Sequence, residues 1–145
     1  MSDVVIKVAE LREELMAIQA IRKSVFQQEQ GVDEVLDFDG LDEISDQLIA
    51  CMDDEYVGTA RIRYLDEKTA KIERLAVLHT ARGRGMGKQI MEKAMEVIAS
   101  KNIPLVVIHS QEYVKGLHQQ LGFQEEGEVF EEAGIRHVKM VRTSI

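Results

Sequence analysis

The feature that most constrains this chain lies at its middle. A segment that reads as a strand, from about Ala70 to Leu78, runs into Arg82-Gly83-Arg84-Gly85-Met86-Gly87, and a helix follows with Ile90, Met91, Ala94, Val97 and Ile98 on one side. The glycines let the backbone take positive φ and approach a ligand closely. The helix start offers unpaired N–H groups and a partial positive charge, which together suit a phosphate. Arg82, Arg84 and Lys88 concentrate positive charge in a 145-residue chain whose formal net charge is -8. A pyrophosphate is the natural guest; the plainer alternative is a tight strand-to-helix turn with solvated arginines.

Two other phosphate loops do not fit. A nucleotide P-loop needs Gly-x-x-x-x-Gly-Lys-Ser/Thr, and here Gly87-Lys88 is preceded five residues back by Arg82 and followed by Gln89. A dinucleotide fingerprint needs Gly-x-Gly-x-x-Gly after the first strand. This loop spaces its glycines at 83, 85 and 87, midway through the chain.

Around the loop, Val4 to Val8 reads as a strand, and Leu11, Leu15, Ile18, Arg22 and Val25 follow at helical spacing. Arg22 therefore falls on an apolar stripe, an unusual place for a guanidinium. The acidic stretch Asp33 to Asp46 reads as loop. Gln47 to Met52 and Tyr56 to Tyr64 form a hairpin across Asp53-Asp54-Glu55. Pro104 opens a strand from Leu105 to His109, a short helix covers Tyr113 to Leu121 with Gly122 as its stop, and two strands lie near Phe123 to Phe130 and Ile135 to Val141. The order predicts one domain over residues 1–145, an α/β layer structure with a mixed sheet.

So acidic a chain repels a phosphate backbone, so nucleic acid is not an expected partner. A single cysteine, Cys51, forbids an intrachain disulfide, and no His or Cys spacing resembles a zinc site. The N-terminus lacks a signal-peptide pattern, and the longest apolar run, about Ile103 to Ile108, falls short of the ~20 residues that a membrane span needs. No membrane partner and a cytoplasmic location are the expectations.

Arg82-x-x-Gly85-x-Gly87 resembles the Gln/Arg-x-x-Gly-x-Gly/Ala pyrophosphate loop of the GNAT family of N-acetyltransferases. Leu117-His118-Gln119-Gln120-Leu121-Gly122-Phe123 is similar to that family's Phe-Tyr-x-x-Leu-Gly-Phe. Arg22-x-x-Val25-Phe26-x-x-Glu29-Gln30-Gly31-Val32 and Glu131 to His137 further resemble a bacterial ElaA-like subgroup. The resemblance implies the acyl-CoA N-acyltransferase fold, a mixed, mostly antiparallel, splayed sheet flanked by helices. It implies acetyl-CoA as cosubstrate, no metal, and a small-molecule amine as acceptor attacking in a ternary complex. It places the pantetheine arm along Leu75, Ala76 and Val77 and the pyrophosphate on the main chain of Arg84, Gly85, Met86, Gly87 and Lys88, with Arg82 and Gly83 also among the cofactor-binding residues. Related enzymes often pair, which leaves a homodimer open. A protein or peptide amine acetyltransferase and a non-catalytic acyl-CoA sensor are the rival readings.

Acetyl transfer needs a group to take the amine proton and a way for the thiolate to leave. His137 sits in a late strand on the face opposite Val138 and Met140, and related enzymes carry a histidine in a matching segment; it is the candidate base, or else an exposed strand histidine. His118 stands where the family has a tyrosine that protonates the thiolate; it is either an acid or a helix-surface residue. His79 and His109 read as structural. Arg22 and Arg74, on apolar faces, call for an anionic partner: a substrate group, or an internal carboxylate such as Glu29 or Glu73. In the family layout Gln111 and Tyr113 sit beside the acetyl site. The acidic stretch pulls against an anionic acceptor, unless it is a solvated loop.

Overall fold

The computed structural model describes residues 3–37 and 39–144. The chain opens with β1 (Val4–Val8) and α1 (Leu11–Arg22). Ile18, Ile21 and Arg22 are buried on one stripe of α1, as their spacing predicts. The helix then widens into a π-helical stretch, Lys23–Glu29, closed by the Gln30 N–H donating to the Val25 carbonyl at 3.2 Å. Such stretches are rare and concentrate at functional sites. Val25 stays buried through the change, so the apolar pattern carries no sign of it.

The acidic stretch is not the plain loop expected. It contains α2 (Glu34–Asp37), and both Asp37 and Asp42 are buried. Guanidinium groups beneath it, described below, hold the segment against the sheet instead of leaving it to solvent. Then come β2 (Asp46–Met52) and β3 (Glu55–Tyr64), joined by a tight turn in which Asp53 and Asp54 take φ of 51° and 67°. Aspartate tolerates that left-handed geometry better than most residues. β4 (Thr69–Val77), a 3₁₀ turn (His79–Ala81) and α3 (Met86–Ser100) follow, then β5 (Leu105–Gln111), a second 3₁₀ turn (Glu112–Val114) and α4 (Lys115–Gln120). The strand expected near Phe123 to Phe130 is two short ones, β6 (Gln124–Glu125) and β7 (Phe130–Glu132), set along the same edge of β8 (Ile135–Thr143).

The strands form one sheet in the order β1-β2-β3-β4-β5-β8-β6, with β7 also on β8. Every pairing is antiparallel except β4 with β5. That parallel pairing covers only Thr69–Ile72 against Leu105–Ile108. Beyond it, β4 stays with β3 as far as Val77, whereas β5 stays with β8 until Gln111 meets His137. The sheet splays at this point, and among the described residues the backbone on both sides of the gap has no strand partner there.

Alternation decides what each face carries. On one face Ala60, Ile62, Ala70, Ile72, Val106, Ile108 and Met140 are buried with Ile90, Met91, Ala94 and Ile98 of α3 in the main core. Each large side chain so buried contributes about 1.5–3 kcal/mol. The opposite face carries the intervening residues: Arg61 pairs with Glu73, Arg63 with Lys71, His109 with Lys139 and Gln111 with His137. A bulge interrupts β4. Thr59 faces Ala76 and Arg61 faces Glu73, so Arg74 and Leu75 together oppose Ala60, and Arg74 takes a φ of 57°. Bulges re-aim side chains, and here the two residues turn to the gap.

Candidate active site

Gly85, with φ of 73°, is the N-cap of α3, and no side chain caps the helix. The N–H groups of its first turn are therefore available to a ligand. Gly83 also has positive φ, 80°, a left-handed geometry that glycine adopts without strain. Arg82 does not point freely at a ligand. Its guanidinium binds both oxygens of Glu29 at 2.8 Å, and its Nε donates to the Val77 carbonyl at 2.9 Å. It clasps the glycine loop to the π-helical stretch and to the end of β4. Arg84 Nη1 lies 3.5 Å from Met52 Sδ.

The gap between β4 and β5 is a cavity of about 900 Å³. Its wall brings together Arg74, Leu75, Ala76, Val77, Arg82, Gly83, Gly85, Met86, Gly87, Lys88, Gln111, Tyr113, His118 and His137. Two of the site residues expected from sequence, Arg22 and Arg84, are not on it. Arg22 is a correction. Its side chain is fully buried, with Nε on Asp37 Oδ1 at 3.0 Å and Nη1 on Asp42 Oδ1 at 2.5 Å. The internal ion pair holds, but with carboxylates from the acidic segment rather than Glu29 or Glu73. Arg74 does reach the cavity while donating to the Asp37 carbonyl and to Asp39 Oδ2, each at 3.3 Å. Burial, aided by nearby Arg61, pulls its pKa below the usual arginine value.

His137 is buried in the cavity wall, not exposed on its strand. Its Nδ1 lies 2.7 Å from the Ile135 carbonyl oxygen, which can only accept, so Nδ1 carries the proton. In the neutral ring Nε2 is then the acceptor, and it lies 3.7 Å from Glu132 Oε2. Glu132 Oε1 in turn meets His109 Nδ1 at 3.1 Å. The hydrogen bond from His109 holds the Glu132 carboxyl down at about 2, with the charges of His109 and Lys71 adding to the effect. Phe130 fills the space between the two rings, stacked on His137 at 6.0 Å and edge-on to His109 at 5.1 Å.

His118 is buried too, against Phe123, rather than on a helix surface. Burial lowers its pKa to about 4, so near neutrality it is an uncharged imidazole and holds no extra proton to donate. Gln111 Nε2 donates to Gln30 Oε1 at 3.0 Å, while Tyr113 is largely exposed. Sequence reading set His109 aside as structural and missed Glu132. The available signal was the alternation that puts His109 and His137 on one sheet face, together with the hairpin pairing of Phe130 with His137.

The model of the acetyltransferase (GNAT) domain matches residues 9–144. The ElaA protein of Escherichia coli (strain K12) is 33% identical over 138 residues, 91% of this chain and 89% of its own. The crystal structure of Escherichia coli ElaA has a TM-score of 0.83 at 28% identity, covering 98% of this chain and 99% of that one. An acyl-CoA N-acyltransferase from Pseudomonas aeruginosa matches with the same TM-score, 0.83, identity, 28%, and coverage, 98% and 99%. A GNAT family acetyltransferase from Elizabethkingia anophelis, solved with acetyl-CoA bound, has a TM-score of 0.74 at 17% identity over 97% of each chain.

Proposed function

The chain belongs to the GNAT acetyltransferase family, and from that membership we propose that it moves an acetyl group from acetyl-CoA to an amine of a small molecule, by direct attack in a ternary complex. The observation that carries this reading is His137: its Nδ1 proton is fixed on the Ile135 carbonyl, so its Nε2 lone pair is turned to the cavity beside an ionised Glu132.

The residues present fit acetyl-CoA. The uncapped N-terminus of α3 and the positive-φ glycines suit a pyrophosphate, which Gly83 to Lys88 would hold on main-chain N–H groups. The edge of β4 at Leu75, Ala76 and Val77, freed where β5 diverges, suits the amide-bearing pantetheine arm. Bound acetyl-CoA supplies an activated thioester: the new C–N bond forms as the C–S bond breaks, and the thiolate leaves with CoA. An ammonium acceptor first gives one proton to solvent. His137 Nε2 takes the second as the C–N bond forms, and the imidazolium then has Glu132 beside it; the thiolate gains a proton on release. His118 is outside this proton path. Cys51 is not on the cavity wall, and burial pushes its thiol pKa up, so no acetyl-enzyme is invoked.

The test is acceptor-dependent thiol release with an amine panel. His137→Asn is expected to lower kcat/KM by about 10²–10⁴-fold, the usual contribution of a positioned base, with acetyl-CoA binding retained. Unchanged turnover would remove His137 from the mechanism.

A further inference from the structure

The acidic stretch and the cavity together bear on the chemistry of the acceptor. Asp37, Asp39, Asp42 and Glu73 each have a guanidinium nitrogen of Arg22 or Arg61 within 3.0 Å. Arg74 leans on Asp37 and Asp39 as well. These carboxylates are therefore already neutralised and are poor ligands for a cationic substrate. Arg63 and Lys71 complete the cations around these four carboxylates, and Lys71 also acts on the Glu132 carboxylate across the cavity.

Two of these cations keep donors that the carboxylates do not use. Arg63 donates to Glu73 Oε1 through Nε at 2.8 Å, and among the described residues its two terminal nitrogens have no protein acceptor. Lys71 Nζ stands 3.5 Å from Glu73 Oε2 and donates no hydrogen bond among the described residues, although its side chain is only 11% exposed. The two side chains face each other across β3 and β4, and both line the cavity. Strand alternation puts them on the same sheet face as His109 and His137, with Glu132 on the same cavity wall. An anion entering there meets two half-buried donors whose charge little water screens.

We infer that the acceptor is an amino-acid-like zwitterion whose carboxylate docks on Lys71 and Arg63 while its amine stands at His137 beside Glu132. This rests on the acetyltransferase reading and adds the acceptor class to it. The acidic segment shapes the wall and anchors Arg22, Arg61 and Arg74; it does not recruit a basic peptide or polyamine.

The test compares free α- and ω-amino acids with their amides, with the corresponding aminoalkylphosphonates, and with simple amines and polyamines, all with wild-type enzyme and acetyl-CoA. Amino acids are expected to exceed their amides by about tenfold or more in kcat/KM, as a hydrogen-bonded charge requires. Lys71→Gln and Arg63→Gln are expected to raise KM for the acids by a similar factor at nearly constant kcat, and to change KM for the amides much less. Melting temperature and acetyl-CoA binding report whether each variant is folded; should either fail, the acid-to-amide ratio of the wild type still decides. Equal use of acids and amides, or preference for phosphonates, simple amines or polyamines, overturns the inference and leaves the acetyltransferase reading standing. Acetyl-CoA binding with no amine acetylated in any arm overturns both.

Discussion

Burial sets the chemistry of the histidines one at a time. His118, lowered to about 4, binds its proton far less well folded than unfolded, where the ordinary value is near 6.5. The unfolded chain then holds more protons between those values, so stability falls as pH drops through that window. Between pH 7 and pH 5 the loss from this residue is about 2 kcal/mol. Denaturant unfolding of His118→Phe at the two pH values is expected to show a correspondingly smaller drop than wild type; an identical drop would mean the ring is solvated. Near neutrality the same burial leaves His118 uncharged, which is why the proposed proton path runs through His137 instead. Glu132, held ionised by His109, gives a second prediction at this scale. Glu132→Gln keeps the shape but not the charge beside an imidazolium, and is expected to cost about 10–100-fold in kcat/KM. It should cost less than His137→Asn, since the proposed base itself remains.

Elements differ in how much of themselves they show in sequence. The glycine loop and α3 were legible because their signals are local: glycine spacing, a charge cluster and a helical stripe within a few residues. Arg22 was half legible. Its place on an apolar stripe required a buried anion, but the partners Asp37 and Asp42 lie in a stretch with no periodicity to locate them. The β4 bulge at Arg74 and Leu75 has no glycine to mark it, and the π-helical stretch keeps Val25 in register with the core. Both are set by tertiary packing, and both line the cavity. The buried pairs carry their own prediction. Arg22→Met leaves Asp37 and Asp42 buried without its guanidinium, and such breaks cost about 3–5 kcal/mol. Chemical denaturation is expected to show that loss. A change below about 1 kcal/mol would mean that the acidic segment opens to water at little cost.

At the scale of the whole molecule, the sheet is two wings, β1 to β4 and β5 to β8, joined directly by four residue pairs. A ligand lying in the gap would contact both wings and bind only the folded chain. Acetyl-CoA at a hundred times its dissociation constant should then stabilise the protein by about 2.7 kcal/mol. For a domain of this size that corresponds to a rise in Tm of roughly 5–10 °C. Gly85 separates binding from folding. Any L-residue at its φ of 73° is strained by roughly 1–2 kcal/mol, so a lower starting Tm is expected for every substitution there. Space is not limiting, because an added Cβ meets nothing within 4 Å. Gly85→Asn introduces no charge and tolerates the left-handed backbone, and should keep the acetyl-CoA shift. Gly85→Glu sets a carboxylate at the helix N-terminus where the pyrophosphate is proposed to sit, and should lose it. A shift that survives in Gly85→Glu would place the pyrophosphate away from this loop, and with it the feature from which the whole reading began.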